Sequence, residues 1–69
     1  MPLRLLRLPD VVERTGLPKS TIYLWMGRGT FPHNITLGFR SVAWMENEIE
    51  DWIAERVRMS RHAAPRTAP

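Results

Sequence analysis

The 69-residue chain has no cysteine, which excludes disulfides and thiolate metal sites and fits a reducing compartment. No apolar run approaches the ~18 residues of a membrane span, and residues 1–7 lack the long apolar core of a signal peptide. His33 and His62 lie far apart without companions for a metal site, and there is no Gly-rich phosphate loop. We therefore expect a cytoplasmic protein that is not an enzyme and carries no metal or other cofactor.

The charge of the chain is unevenly distributed. Ten Lys and Arg residues against seven Asp and Glu residues give a net charge of +3. Residues 1–45 hold six bases and two acids, residues 46–55 hold five acids and no base, and residues 56–69 hold four arginines and no acid. The basic first two-thirds predicts a polyanionic partner, with double-stranded nucleic acid as the leading class, and the acidic stretch is expected to face away from it.

Two short helices are predicted in the first third of the chain. The first is expected to begin around Pro9 and Asp10 and to end at Gly16, and the second to span residues 19 to about 26. Their apolar faces recur at i, i+3 and i+4, as Leu8, Val11 and Val12 in the first helix and Ile22, Trp25 and Met26 in the second. This arrangement is typical of a helix-turn-helix.

A β-hairpin is predicted after the second helix. Residues 35–37 and 42–44 are short β-prone runs on either side of a turn, with Arg40 near its tip. Each strand has only about three residues, so the hairpin has to pack on the helices to be stable.

The third helix has the clearest pattern, with four apolar residues at helical spacing: Ile49, Trp52, Ile53 and Val57. Asn47 and Glu50 are expected to form a capping box at its start, and the apolar pattern ends at Met59. The sequence thus predicts a mainly α fold with a small β-hairpin, a minimal winged helix-turn-helix over residues 1–59. A disordered basic tail over residues 60–69 is expected to follow.

Five segments at characteristic spacings form an ordered series over about residues 4–58. They are residues 4–17, Lys19-Ser20-Thr21-Ile22-Tyr23, Phe31-Pro32, Leu37-Gly38 with Arg40 and Ala43-Trp44, and Glu48-Ile49 with Trp52-Ile53. The series resembles AlpA-type prophage regulators, which are similar in fold to phage excisionases and to the DNA-binding domain of MerR-type regulators. The resemblance implies a transcription regulator, or an excisionase that acts as a recombination directionality factor and steers an integrase toward excision.

Three positions depart from the family pattern. The family usually has Ser or Thr where this chain has Pro18, so the second helix is expected to lack a side-chain cap. It usually has Arg or another polar residue in place of Leu24, although a leucine can still contact a thymine methyl group. Trp25 is larger than the aliphatic residue common there and is expected in the core.

The outward face of the second helix is the predicted reading face, because the major groove of DNA admits one helix. The candidate DNA-binding residues are Lys19, Ser20, Thr21, Tyr23 and Leu24, with Arg28 just past the helix and Arg40 in the hairpin. A purely structural role stays open for four of these residues. Ser20 or Thr21 can cap the helix, Tyr23 can pack against the wing, and Arg28 can complement the helix C-terminus.

The hairpin tip is expected to reach DNA through Arg40, which has few structural partners there and suits a narrow minor groove or a phosphate. Phe39 is expected to cover the base of the wing rather than to wedge into DNA. Arg4 and Arg7 flank either an edge strand or an arm across the DNA backbone. Trp44 and Trp52 are expected in the core, and the acidic face of the third helix is expected to be solvated.

Two hypotheses on function follow. The first is a site-specific DNA-binding regulator of a phage or mobile element, acting by occupancy and bending, monomeric in solution and with several copies cooperating on DNA. An integrase or RNA polymerase is its candidate protein partner. The alternative is a small protein-interaction adaptor, an anti-repressor or integrase partner, that uses an apolar patch of Leu24, Tyr23 and Phe39.

Overall fold

The computed structural model describes residues 3–62. Six elements follow one another along the chain: β1 (Leu5–Leu6), α1 (Leu8–Thr15), α2 (Lys19–Gly27), β2 (Ile35–Gly38), β3 (Ser41–Met45) and α3 (Glu46–His62). The predicted fold class, mainly α with a small hairpin in a winged helix-turn-helix order, is confirmed.

The three strands form one antiparallel sheet in the order β1-β3-β2. Leu5 pairs with Met45 in β3, which confirms the edge-strand interpretation of this segment and rules out the arm. On the other side of β3, the pairing with β2 ends at Gly38 and Ser41, so residues 39–40 form the tip of the hairpin.

Helix α1 begins and ends as its sequence predicts. Pro9 lies in its first turn, and the Asp10 carboxylate accepts the backbone N–H of Arg7 at 3.4 Å. Gly16 ends the helix in the left-handed conformation, with φ of 74°, and its N–H donates to the carbonyl of Val12 at 2.8 Å. Residues 16–18 then turn the chain directly into α2.

Seven residues form the buried core: Leu6, Val11, Ile22, Phe31, Ala43, Trp44 and Ile49. They come from every element except β2, together with the loop that precedes it, so the sheet and the three helices share one core. The indole N–H of Trp44 donates to the carbonyl of Pro32 at 3.0 Å, which satisfies its polar atom inside the core. Trp52 is half-buried against this cluster. Both tryptophans therefore have the core role expected of them.

Helix α3 differs from its prediction at both ends. Because β3 runs directly into α3, the helix begins at Glu46, whose N–H donates to the carbonyl of Arg4 at 2.8 Å. Asn47 is thus already inside the helix, and the predicted capping box is wrong. The helix also continues through His62, three residues past its expected end, and the rest of the expected tail, residues 63–69, lies outside the described residues. Across residues 3–62, no helix has the length and apolar character that a membrane crossing needs.

Candidate nucleic-acid interface

Helix α2 has one buried face and one exposed face. Ile22 is fully buried, and Trp25 and Met26 pack against the core beside it. The opposite side exposes Lys19, Ser20, Tyr23 and Leu24, while Thr21 lies half-buried at the boundary. Exposed residues at i, i+1, i+4 and i+5 form a single stripe along a helix. The structure therefore brings four of the five candidate residues of this helix onto one surface, which we call the α2 face.

The N-terminal end of α2 carries no side-chain cap among the residues that the structure describes. Pro18 supplies only its carbonyl, which accepts the N–H groups of Thr21 and Ile22 at 3.0 and 3.1 Å. The capping role considered for Ser20 and Thr21 is thus wrong. The helix end keeps its positive partial charge beside Lys19, and such an end binds phosphate groups.

Tyr23 connects the α2 face to the hairpin. Its ring lies edge-to-face against the ring of Trp44, with the centroids 6.3 Å apart. The residue is nevertheless 42% exposed. Packing against the wing and presentation of the hydroxyl group to a ligand are therefore compatible. Leu24, on the same face, is 51% exposed and adds apolar surface to it.

The hairpin tip consists of Phe39 and Arg40. Arg40 adopts the left-handed conformation with φ of 59°, which is costly for a residue with a side chain. Its guanidinium lies over the Phe39 ring, 5.2 Å from the centroid. Phe39 is 88% exposed, so the expectation that it covers the wing base is wrong. The reason is that the strand pairing ends at Gly38 and Ser41, which leaves the ring beyond the paired part of the sheet.

No acidic residue occurs between Glu13 and Glu46, a stretch that contains α2 and the whole hairpin. Three cations of this stretch, Lys19, Arg28 and Arg40, form no ion pair within residues 3–62. Arg28 follows the last turn of α2, where its N–H bonds to the carbonyls of Leu24 and Trp25, and its side chain is exposed. The α2 face and the hairpin tip thus carry positive charge that nearby carboxylates do not neutralise.

Arg14 has a different role from the one that its place in the basic two-thirds suggests. Its guanidinium contacts Glu46 at 2.9 Å and Glu50 at 2.5 Å, and the hydrogen bond to Glu46, followed by that to Glu50, raises its pKa. Arg4 lies 3.9 Å from the same Glu46. The Arg14 pairs join α1 to the start of α3, and the charge count of residues 1–45 therefore overstates the charge that a polyanion meets.

A second contact group that the sequence analysis missed holds α2 to α3. The guanidinium of Arg56 lies 4.9 Å from the Trp52 ring and 5.6 Å from the Trp25 ring. The indole N–H of Trp52 donates to the carbonyl of Thr30 at 2.8 Å, and the Thr30 hydroxyl donates to the carbonyl of Trp25 at 3.2 Å. The only sequence signal for it is the i, i+4 spacing of Trp52 and Arg56. This group fixes the orientation of the α2 face.

Three acidic residues of α3 line a groove that does not include the α2 face or the hairpin tip. Glu48, Asp51 and Glu55 line an open groove between α3 and residues 32–35, with Trp52 as part of its lining. Arg58 bonds to Glu55, which lowers the pKa of that carboxyl and raises the pKa of the arginine. Within residues 3–62 no group of three or more potential ligands is placed to hold a metal ion. The groove repels a polyanion, in contrast to the α2 face and the hairpin tip.

Comparisons with known proteins agree with this geometry. Residues 4–57 match the family model described as "Prophage CP4-57 regulatory protein (AlpA)". The chain is 40% identical over 63 residues to the "DNA-binding transcriptional activator AlpA" of Escherichia coli, which covers 83% of this chain and 90% of that protein. It is 43% identical over 54 residues to the uncharacterized protein ORF88 of Enterobacteria phage P4, which covers 78% of this chain and 61% of that protein.

Proposed function

Because the chain belongs to the AlpA family of prophage regulatory proteins, we propose that it is a site-specific DNA-binding transcription regulator of a phage or mobile element. The observation that carries this proposal is the α2 face, on which Lys19 forms no ion pair within residues 3–62 and lies beside an uncapped, positive helix end. The E. coli relative is described as a DNA-binding transcriptional activator, which supports the same role here.

In this proposal α2 lies in the major groove. Lys19 and the N–H groups at the helix end hold a phosphate, and Ser20 and Tyr23 contact phosphates or base edges with their hydroxyl groups. Leu24 packs against a thymine methyl, because an apolar side chain in the major groove has no better partner. Arg28 supplies a further phosphate contact just past the helix.

The hairpin reaches the neighbouring minor groove. Trp44 touches α2 through Tyr23, and Arg40 lies four residues along the strand and turn from it. At ~3.3 Å per residue that span is about 13 Å. One turn of DNA is about 34 Å, so adjacent grooves are about 17 Å apart along the axis. The span is of the same order as this separation, which supports a contact of Arg40 with the minor groove or its flanking phosphates.

Regulation then follows from occupancy and bending of the site. A single module of this size contacts few base pairs, so we propose that the monomer binds DNA in several cooperating copies. Depending on the position of the site, the bound protein activates or represses a promoter, or acts as an excisionase beside an integrase. RNA polymerase and an integrase are the corresponding protein partners.

A protein-interaction adaptor is the second candidate. Leu24 is half exposed and Phe39 extends from the hairpin tip, which is the observation that favours it. An apolar protein interface responds little to salt, whereas contacts to phosphates weaken steeply as salt is added. The salt dependence of binding therefore separates the two functions.

The experiment is fluorescence-anisotropy binding to duplexes tiled across the genomic neighbourhood of the gene, with a scrambled competitor, at two salt concentrations. Selective binding that weakens steeply with salt supports the regulator, and the position of the bound tile at a promoter or an attachment site separates transcription from excision. Binding to no tile, or equally to all, contradicts it and favours the adaptor.

A further inference from the structure

We infer that Phe39 is a wedge that enters the minor groove and parts one base step, so that the hairpin bends the DNA it touches. The inference rests on the proposed DNA-binding function and adds a specific residue and a specific deformation to it. The two phenylalanines of the chain have contrasting surroundings. Phe31 is buried and contacts Trp52 with centroids 4.8 Å apart, whereas Phe39 is 88% exposed.

The position of Phe39 excludes a role in the core. The ring lies beyond the last strand pair, Gly38 with Ser41, and thus outside the sheet. The guanidinium of Arg40 lies over the ring, 5.2 Å from its centroid. A large apolar side chain held in water at the end of a hairpin gains from burial only when something binds the tip.

The partner of that tip is identified by charge. Arg40 is next to the ring, and no carboxylate occurs in the sequence from residue 14 to residue 45. A minor groove attracts a guanidinium through the phosphates along its two edges. Apolar side chains, Phe among them, insert between base pairs from this groove and kink the duplex. Arg40 supplies the guanidinium and the adjacent Phe39 supplies the apolar side chain that such binding requires.

The backbone of the tip supports the same conclusion. Arg40 adopts φ of 59°, where glycine is the ordinary choice, and the register between β2 and β3 shifts between Thr36 and Gly38. Residues with strained backbone of this kind cluster at functional sites. Here the residue with the strained backbone is the one whose guanidinium lies over the Phe39 ring, and Phe39 remains 88% exposed and accessible to a base.

The test uses the full chain and the duplex that it binds selectively. One set of duplexes carries 2-aminopurine at successive positions, whose fluorescence rises when a base loses its stacking, and another carries a donor and an acceptor at its ends to report bending. Wild-type protein is expected to raise the 2-aminopurine signal severalfold at one step, about half a turn from the α2 footprint, and to shorten the end-to-end distance.

Phe39→Ala is expected to return both signals close to those of the unbound duplex and to weaken binding by about 10-fold, with Phe39→Leu in between. Val57→Ala, which removes an exposed apolar side chain of α3, is the matched control and is expected to behave as wild type. Thermal melting checks that each variant folds.

Two results would overturn the wedge, and they are distinguishable. If Phe39→Ala binds and gives the wild-type 2-aminopurine and bending signals, the wedge is wrong and the regulator function stands. If wild-type protein binds no duplex selectively, the proposed function itself fails and the wedge fails with it.

Discussion

Tyr23 of α2 and Trp44 of β3 meet edge-to-face with ring centroids 6.3 Å apart, and this contact couples the α2 face to the hairpin. Trp44 is fully buried, so the position of its ring is fixed by the core. Tyr23 is thereby held in one orientation while its outer part stays in water. The pair thus links α2, which carries one proposed DNA contact, to the strand that leads to the hairpin tip, which carries the other.

Substitutions at Tyr23 separate the ring from the hydroxyl group. Tyr23→Phe is expected to keep the free energy of unfolding within about 0.5 kcal/mol of wild type and to weaken DNA binding about fivefold, because only a hydroxyl–phosphate bond is lost. Tyr23→Ala also loses the aromatic contact and is expected to be less stable by about 1 kcal/mol. Urea unfolding measures the stability of each variant, and fluorescence anisotropy measures its affinity for DNA. Wild-type affinity in Tyr23→Phe would leave the hydroxyl without a role.

Arg40→Gly is expected to raise stability and lower DNA affinity at the same time. Glycine adopts φ of 59° without the strain of a side chain, which is worth about 1 kcal/mol, while loss of the guanidinium weakens binding about 10-fold at low salt. Arg40→Ala is expected to weaken binding as well. Glu48→Ala, on the acidic groove, is the control and is expected to bind as tightly as wild type. Equal losses from Arg40→Ala and Glu48→Ala would count against a DNA-facing hairpin.

Lys19 and Arg14 are both basic, but only Lys19 is expected to contact phosphate. Lys19→Gln is expected to reduce the slope of log affinity against log salt by about 1. Arg14→Gln is expected to leave that slope unchanged and to lower the melting temperature, because Arg14 pairs with Glu46 and Glu50. Binding titrations at several salt concentrations and thermal melts are carried out on both variants. A reduced slope in Arg14→Gln would show that the ion pairs open on DNA.

Leu24 and Ile22 lie on opposite faces of α2, and their truncations are expected to have opposite consequences. Ile22→Ala is expected to lower the free energy of unfolding by about 2–5 kcal/mol, since the side chain is fully buried. Leu24→Ala is expected to change it by less than about 0.5 kcal/mol and to alter the preferred DNA sequence at one position. Denaturation and a duplex panel with single T substitutions measure these effects. An unchanged sequence preference would show that Leu24 does not contact a base and would favour the adaptor hypothesis.

The Glu55–Arg58 pair predicts a small pH dependence of stability. The hydrogen bond from Arg58 lowers the pKa of Glu55 in the folded protein, so the folded state favours the carboxylate. Its stabilising effect is present above the ordinary glutamate pKa of about 4.3 and is lost as the pH falls through the lowered value. Thermal melts at pH 7 and pH 3 are expected to differ less for Glu55→Gln than for wild type. An equal difference would show that the pair adds nothing to stability.

Much of the fold was predictable from local signals. The apolar spacing of α1 and α2, the stop at Gly16 and the turn around Arg40 depend on residues close in sequence, and each appears as predicted. The start of α3 was not predictable from Asn47, because the hydrogen bond from Glu46 to Arg4 joins residues 42 positions apart and satisfies the first N–H of the helix without a side chain.

The site was predictable only in part. Solvent exposure of the α2 face follows from helical periodicity, and the structure confirms it for Lys19, Ser20, Tyr23 and Leu24. The pairing of Arg14 with acids of α3 and the contact of Arg56 with Trp25 are tertiary contacts with no local signature. Because Arg14 is paired, Lys19, Arg28 and Arg40 are the cations of residues 14–45 that form no ion pair within residues 3–62, which the charge count alone does not show.

The most direct test of the account is a two-dimensional amide NMR titration of the ¹⁵N-labelled protein with its selected duplex. The chain is 8.0 kDa, so each amide of the complex gives a resolvable signal. We predict that the largest shifts fall on residues 19–24 and 38–41, with little change along residues 46–55. Shifts concentrated on the acidic groove at Glu48, Asp51 and Glu55, with an unchanged α2, would contradict the proposed DNA-binding surface.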